Sequence, residues 1–257
     1  MARSSLALRS PSASPSPAPT GDLGPATAGT AVDRERRRGR GAHSNASGRY
    51  EPLARVAFDD GWQSLEDLPP FATTVSVDAS RKVIARNESP DIGFDRSINP
   101  YRGCEHGCVY CFARPTHAYL GLSPGLDFES KLFMKPNAPE LLERKLSAPG
   151  YVPKVIAIGT NTDPYQPIER QYKIMRGILE VLDRAGHPVG IVTKSALVLR
   201  DLDILARMAE RHLVKVAISV TTLDGKLARA MEPRAATPPR RLEALRQLVK
   251  AGVPTSA

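Results

Sequence analysis

All three cysteines of this chain, Cys104, Cys108 and Cys111, lie close together in a C-x3-C-x2-C pattern. Three thiols on one glycine-containing loop can wrap a single metal centre, because soft sulfur ligands favour zinc or iron–sulfur clusters. A cubane cluster of four irons held by three cysteines keeps one iron without a protein ligand. We expect the chemistry of the protein at that open iron.

Three other uses of the cysteines compete with this one. A disulfide framework is excluded, since it needs an even number of cysteines and is typical of short secreted chains, whereas this chain has 257 residues and three cysteines. A zinc site of three cysteines and one histidine, His106 or His117, remains an alternative, although structural zinc sites usually use two separated pairs of ligands. Buried thiols without a metal are the remaining alternative.

The cysteine segment resembles the radical S-adenosylmethionine (SAM) superfamily, whose signature is C-x3-C-x-aromatic-C, with Tyr110 as the aromatic residue. The run from Asn99 to Arg114 is similar to the branch known as DNA repair photolyases, which is related to spore photoproduct lyase. The resemblance continues to about Arg246. It implies a 4Fe–4S cluster on the three cysteines, SAM bound to the open iron, and cleavage of SAM to methionine and a 5′-deoxyadenosyl radical. It also implies a one-electron reductant of the flavodoxin or ferredoxin type.

A regular alternation of strands and helices follows the cysteines. Apolar runs typical of buried parallel strands occupy residues 154–160, 189–194 and 214–220. Amphipathic helices are predicted over about 168–185, from Asp201 onward, and from Thr237 and Pro238 onward. Such alternation indicates βαβ units around a parallel sheet. We therefore predict an α/β fold, a partial (β/α)6 radical SAM barrel with a disordered N-terminal tail.

Three regions are predicted along the chain. Residues 1–49 form a basic tail rich in proline, serine and alanine, which we expect to be disordered because it cannot bury enough apolar surface. Residues 50–95 form an N-terminal extension, with a hairpin indicated by alternating residues from Phe71 to Arg86. Residues 96–257 form the radical SAM core. Because Ala251 to Ala257 end where a fifth strand is due, we expect a truncated core.

The polar residues that follow the strands are the candidate cofactor contacts. In such barrels the chemistry gathers at the carboxyl ends of the strands. By resemblance, the loop after the second strand contacts the SAM amino group, the ends of the next two strands face SAM or substrate, and an arginine binds the SAM carboxylate. The residues assigned to these roles, in chain order, are Gly159, Thr160, Asn161 and Asp163, then Lys194 and Ser219, then Arg234, with Tyr110 beside the adenine. Asp163 as a turn or helix cap, and Arg234 as a surface ion pair, are the structural alternatives.

The charge and hydropathy of the chain indicate which kinds of partner to expect. The net charge of +9 favours a polyanionic partner, and with the resemblance it favours nucleic acid as the substrate. No apolar run approaches the roughly 20 residues that span a bilayer, so we expect a cytoplasmic protein without a membrane partner. Spore photoproduct lyases use a cysteine just after the second strand as hydrogen-atom donor, and Gly159 to Asp163 contain none. The alternative function is a non-catalytic zinc or iron–sulfur protein that associates with nucleic acid.

Overall fold

A computed structural model describes residues 31–51 and 70–257 of the chain. The strands are β1 (Thr74–Val77), β2 (Ile84–Arg86), β3 (Arg96–Ile98), β4 (Tyr101–Arg102), β5 (Lys131–Met134), β6 (Ile156–Ile158), β7 (Val189–Thr193), β8 (Val214–Ile218) and β9 (Thr255–Ser256). The helices are α1 (Leu126–Ser130), α2 (Ala138–Leu146), α3 (Glu169–Tyr172), α4 (Ile174–Arg184), α5 (Leu202–Glu210), α6 (Gly225–Met231) and α7 (Pro238–Lys250). Two 3-10 helices span Arg114–Leu120 and Ala196–Asp201.

The main sheet has the strand order β2-β3-β6-β7-β8-β9. Strands β3, β6, β7, β8 and β9 run parallel, and β2 pairs antiparallel with β3 at one edge. Helix α4 connects β6 to β7, α5 connects β7 to β8, and α7 connects β8 to β9. The α/β class and the partial barrel predicted from the sequence are confirmed.

The core lies between this sheet and its connecting helices. In β7 and β8 every second residue is buried, from Val189 to Thr193 and from Val214 to Ile218. The apolar side chains among them share one cluster with α4, α5 and α7, whose core residues include Met175, Ile178, Leu205, Met208 and Leu248. The sequence predicted strands buried on both faces. The other face is only partly covered, and Val192 is exposed there.

The predicted hairpin is wrong. Strand β1 pairs in parallel with β5, while β2 pairs with β3 of the main sheet. A second, three-stranded sheet of order β1-β5-β4 results. Alternation of polar and apolar residues indicates a strand but does not name its partner, which is decided by the sheet edges that the rest of the fold leaves open.

The prediction of a disordered tail through residue 49 differs from the structure at residues 31–49. The buried guanidinium of Arg40 donates hydrogen bonds to the carbonyl oxygens of Glu129 (2.5 Å) and Phe71 (2.9 Å) and to the hydroxyl of Thr73 (3.0 Å). These contacts are polar and distant in sequence, so composition does not reveal them. Predictions for residues 1–30 and 52–69 lie outside the described residues.

The helix predicted over 168–185 is divided. Lys173 has a φ of 52° and ends α3, and α4 begins at Ile174.

At the other end of the core, Thr255–Ser256 pair in parallel with Val216 and Ala217. The sequence predicted a core that is truncated before a fifth strand, whereas the structure forms a two-residue parallel strand there. Among the helices of residues 31–51 and 70–257, none combines the length and the apolar character that a membrane span requires.

Candidate functional site

The cysteine loop leaves β4 and enters the 3-10 helix that begins at Arg114. Gly103 and Gly107 both have positive φ, of 73° and 67°, so the loop turns back on itself at two points that favour glycine. A Cβ on Gly103 would lie 2.6 Å from the side chain of Leu132 and 2.8 Å from the carbonyl oxygen of Phe128. The loop is therefore closely packed on α1 and β5.

The three cysteines on this loop are free thiols. Cys104 and Cys111 share one apolar cluster with Ala113 and Phe128, and the amide of Cys111 donates to the carbonyl of Cys108 over 3.3 Å. Within residues 31–51 and 70–257, no three Cys, His, Asp or Glu side chains already form a metal-ligating group. The donor set nevertheless fits an iron–sulfur cluster in its chemistry, because it consists of three soft sulfur atoms on one short loop.

Burial favours the protonated thiols of Cys104 and Cys108. Burial raises the pKa of Cys104 well above its usual value, and it raises the pKa of Cys108 to about 12 although the nearby ammonium of Lys194 acts in the opposite direction. A metal centre binds thiolates, so its binding here requires the release of protons. Uptake of a metal by this loop should therefore depend on pH.

The two histidines considered as zinc ligands have other contacts. His106 Nδ1 lies 3.3 Å from Oδ2 of Asp163. His117 Nε2 lies 2.8 Å from the carbonyl oxygen of Lys131, and its ring packs edge-on against Phe128. Each histidine thus has a structural role in the described part of the chain, where no Cys3His group is formed.

A buried ion pair between Arg114 and Glu129 is hydrogen-bonded to the cysteine loop. The carboxylate of Glu129 is fully buried and accepts a hydrogen bond from Arg114 over 2.5 Å and from the amides of Gly41 and Ala42 over 2.9 and 2.8 Å. The same guanidinium of Arg114 donates to the carbonyl of Cys108 over 2.9 Å. Glu129 therefore binds residues 41–42 directly and the cysteine loop through Arg114.

The loop after β6 is joined to the cysteine loop by side-chain amides and hydroxyls. The side chain of Gln166 accepts from the amide of Glu105 (2.9 Å) and donates to the carbonyl of Gly103 (3.1 Å). Thr162 donates to the carbonyl of Tyr101 over 2.9 Å, and the amide of Asn161 donates to the side chain of Asn99 over 3.1 Å. The predicted SAM loop and the predicted cluster loop therefore form one unit.

Asp163, a predicted SAM contact, is directed toward the protein. Its carboxylate accepts hydrogen bonds from the Thr193 hydroxyl and the Lys194 amide, both over 2.7 Å, and faces His106. Burial alone would raise the pKa of Asp163, but attraction by His106 and these hydrogen bonds outweigh burial and lower it. The carboxylate therefore joins the ends of β6 and β7 to the cysteine loop.

Gly159 and Thr160 stand at the end of β6, and Gly159 is required by packing. It has a φ of 87°, and a Cβ would lie 2.0 Å from the carbonyl oxygen of Val192 on the adjacent strand. The backbone of the adjacent strand therefore approaches Gly159 closely enough to require glycine. Thr160 is half-buried next to it.

Tyr110, Lys194 and Cys108 are brought together. The Lys194 ammonium lies 5.8 Å from the centre of the Tyr110 ring. The Tyr110 hydroxyl bonds to Glu232, whose carboxylate also accepts from Thr221 over 2.6 Å and pairs with the buried Arg241. Burial would raise the pKa of Glu232, but these three partners outweigh it and lower that pKa. The ring of Tyr110 is thus held in place beside the cysteines.

Ser219 and Arg234 complete the predicted set. Ser219 bonds through its backbone, since its carbonyl accepts from Arg241 over 2.9 Å and its amide donates to the carbonyl of Thr193 over 2.9 Å. The guanidinium of Arg234 lies 3.2 Å from Glu105, and its amide donates to the carbonyl of His106 over 3.2 Å. Arg234 therefore forms the ion pair that the structural alternative predicted. Its partner, Glu105, belongs to the cysteine loop.

Four residues that position this site were not predicted from the sequence: Glu129, Arg114, Gln166 and Glu232. The contacts Arg114–Glu129, Gln166–Glu105 and Glu232–Tyr110 join residues 15, 61 and 122 positions apart. No local pattern identifies such pairs. The only signal in the sequence was the placement of acidic residues among apolar ones around Phe128 and Met231.

Comparison with known proteins gives a family match over most of the residues that the structure describes. The family model described as the radical SAM superfamily matches residues 98–257. An uncharacterized protein of Mycobacterium tuberculosis is 41% identical over 172 residues, which cover 66% of this chain and 51% of that protein. The chain spans about half the length of the relatives that it matches.

Solved structures show the same fold. A spore photoproduct lyase complexed with dinucleoside spore photoproduct aligns with 70% of this chain and 49% of its own, with a TM-score of 0.52 and 16% identity. A double mutant of such a lyase, with bound AdoMet and dinucleoside spore photoproduct, aligns with 70% of this chain and 48% of its own, with a TM-score of 0.50 and 17% identity.

Proposed function

This chain belongs to the radical SAM superfamily, and we propose that it acts as a radical SAM enzyme on a nucleic-acid substrate. Cys104, Cys108 and Cys111 would hold a 4Fe–4S cluster. The chemistry that cluster and SAM supply together is the reductive cleavage of SAM to methionine and a 5′-deoxyadenosyl radical. The single observation that carries the proposal is the set of three free thiols on one loop inside the matched region.

The surrounding residues are suited to binding SAM. We assign Lys194 to its carboxylate, because this ammonium stands beside the Tyr110 ring and close to Cys108. Tyr110 would pack beside the adenine, since its hydroxyl is anchored by Glu232. Gly159, Thr160 and Asn161 would face the amino group, with Asp163 and Ser219 as positioning residues. Arg234, which pairs with Glu105, is not assigned to SAM. A related fold with bound AdoMet supports this assignment.

Nucleic acid as substrate is supported by charge and by the neighbours. The chain carries a net charge of +9, and a structural neighbour is complexed with a dinucleoside spore photoproduct. The cysteine that serves spore photoproduct lyases as hydrogen-atom donor has no counterpart between Gly159 and Asp163, and all three cysteines of this chain lie in the cluster loop. We therefore propose a reaction other than repair of that photoproduct. A cytoplasmic flavodoxin or ferredoxin would supply the electron.

Anaerobic reconstitution tests this function. The full chain is incubated with iron and sulfide, reduced with dithionite, mixed with SAM, and assayed for 5′-deoxyadenosine and for bound iron. We expect product from the native chain and neither cluster nor product from Cys108→Ala. Iron uptake without product would leave the alternative of a non-catalytic iron–sulfur protein. Retention of zinc in place of iron would overturn the enzyme proposal.

A further inference from the structure

A basic cavity adjoins the cysteine loop. It has a volume of about 310 Å³ and lies between that loop, the ends of β6 and β7, and the start of α7. Three arginines line it, Arg170, Arg234 and Arg240, and no aspartate or glutamate is among its lining residues. Its size suits a small ligand, and its three arginines favour one that carries negative charge.

Two of these arginines have a free charge within the described part of the chain. The guanidiniums of Arg170 and Arg240 form no hydrogen bond or ion pair with residues 31–51 or 70–257, and both residues are exposed. Arg234 pairs with the carboxylate of Glu105. The hydroxyl of Thr73 donates a hydrogen bond to the same carboxylate oxygen over 2.6 Å. Positive charge in the cavity therefore exceeds negative charge.

The helix start at the cavity contributes its dipole but few backbone donors. Pro238 and Pro239 have no N–H, and the amide of Arg241 donates to the carbonyl of Thr237 over 3.1 Å. The hydroxyl of Thr237 makes no capping bond to the helix. An anion in the cavity would therefore be held by guanidiniums and hydroxyls, with α7 adding the field of its positive end.

We propose that this cavity binds a phosphate group, held by Arg170, Arg234 and Arg240. A guanidinium fork satisfies both oxygens of a carboxylate, whereas several forks can share the oxygens of one phosphate. The phosphate comes from a nucleic-acid backbone or from a small phosphorylated molecule. Its role as a substrate contact rests on the proposed function, because His106 in the lining belongs to the cysteine loop. The binding itself requires neither cluster nor SAM.

Binding measurements on the full chain test this site. The probes are inorganic phosphate, pyrophosphate and a fluorescently labelled single-stranded oligonucleotide, applied to the native chain and to Arg170→Gln and Arg240→Gln. Arg246→Gln is the matched control, since it removes the same charge from α7 at a site outside the cavity where the guanidinium pairs with Glu243 over 3.2 Å. All three side chains lie on the surface, so the variants should fold.

We expect each cavity variant to weaken pyrophosphate binding by about tenfold and the control to leave it unchanged. If the source is nucleic acid, the oligonucleotide binds more tightly than pyrophosphate, and each cavity variant lowers the slope of log K against log salt by about 1. If the source is a small molecule, only phosphate and pyrophosphate respond to the cavity variants. Both patterns support the phosphate site.

Three results would overturn the site. One is an equal loss of binding in Arg246→Gln, which would indicate general attraction to the surface. Another is the absence of any effect of the cavity variants on every probe. The third is competition between SAM and pyrophosphate for the cavity, which would assign the arginines to the SAM carboxylate. A failure of the proposed function is recognised separately, as a lack of 5′-deoxyadenosine in a chain that still binds pyrophosphate through the cavity.

Discussion

Arg114 links the buried carboxylate of Glu129, 2.5 Å away, to the backbone carbonyl of Cys108, 2.9 Å away. Glu129 in turn accepts the amides of Gly41 and Ala42. The conformation of the central cysteine is therefore coupled to a segment of the chain more than 60 residues upstream. This ion pair lies outside the cysteine motif, and it holds the motif in place.

Glu129→Gln should destabilise the fold by about 3 kcal/mol, because it leaves the largely buried guanidinium of Arg114 without its anionic partner. Urea unfolding measures this change. Glu143→Gln is the control, since Glu143 pairs with Arg184 at the surface over 2.9 Å, and we expect that loss to cost under about 1 kcal/mol. Equal costs in the two variants would contradict the role of Glu129. If iron uptake fell in Glu129→Gln but not in Glu143→Gln, the ion pair would be shown to support the cysteine loop.

Gly41→Ala should release the N-terminal segment from the cysteine loop. A Cβ at residue 41 would lie 1.9 Å from the carbonyl oxygen of Gly107, and the backbone of Gly41 cannot move away without losing its hydrogen bond to Glu129. Hydrogen exchange at the amides of Gly41 and Ala42 should become faster. Gly93→Ala is the control, because a Cβ there meets nothing within 4 Å. Unchanged protection at Ala42 in Gly41→Ala would show that the contact does not hold the segment.

Gly159→Ala should destabilise the sheet by at least about 2 kcal/mol, since the residue has a φ of 87° and its Cβ would meet the carbonyl oxygen of Val192. Gly190 on β7 provides a matched control. A Cβ there would lie 4.0 Å from its nearest neighbour, so Gly190→Ala should be tolerated. Thermal unfolding of both variants measures the difference. If both substitutions were tolerated, a ligand contact would be the better explanation of Gly159.

The ion pair of Asp78 should make stability depend on acid pH. Burial favours the neutral acid, but hydrogen bonds from Arg102 and Ser80 and the charges of Arg102 and Lys135 outweigh it and lower the pKa of Asp78 below 3.8. A carboxyl with a lowered pKa in the folded state contributes stability above its unfolded pKa and loses it as the pH falls through its folded pKa. The stability gap between the native chain and Asp78→Asn should therefore be full at about pH 6 and shrink below pH 3.8.

Denaturant unfolding at several pH values measures this gap. Asp91→Asn, a change of the same charge at an exposed residue, serves as the control. A gap between native and Asp78→Asn that stays constant down to about pH 2 would contradict the pairing with Arg102. The result matters for the site because Arg102 is the last residue of β4, from which the cysteine loop begins.

Sequence alone determined the elements whose cause is local. The spacing of the three cysteines, the apolar runs of β6, β7 and β8, and the start of α7 at Thr237 and Pro238 each depend on neighbouring residues, and the strands and the helix start were predicted correctly. Spacing fixes which ligands are close, and side-chain periodicity fixes which face is buried. The cysteine motif carried the resemblance to the family, and the periodicity indicated the α/β class.

Tertiary structure decided which distant groups meet. The partner of β1, the attachment of Arg40 and Gly41 to Glu129, and the direction of Asp163 toward His106 depend on contacts between residues far apart in sequence. The three arginines of the cavity come from two separate stretches of the chain for the same reason. A buried polar group must find a partner, but the chain pattern does not say where, since the partner is fixed only when the sheet and its helices have packed.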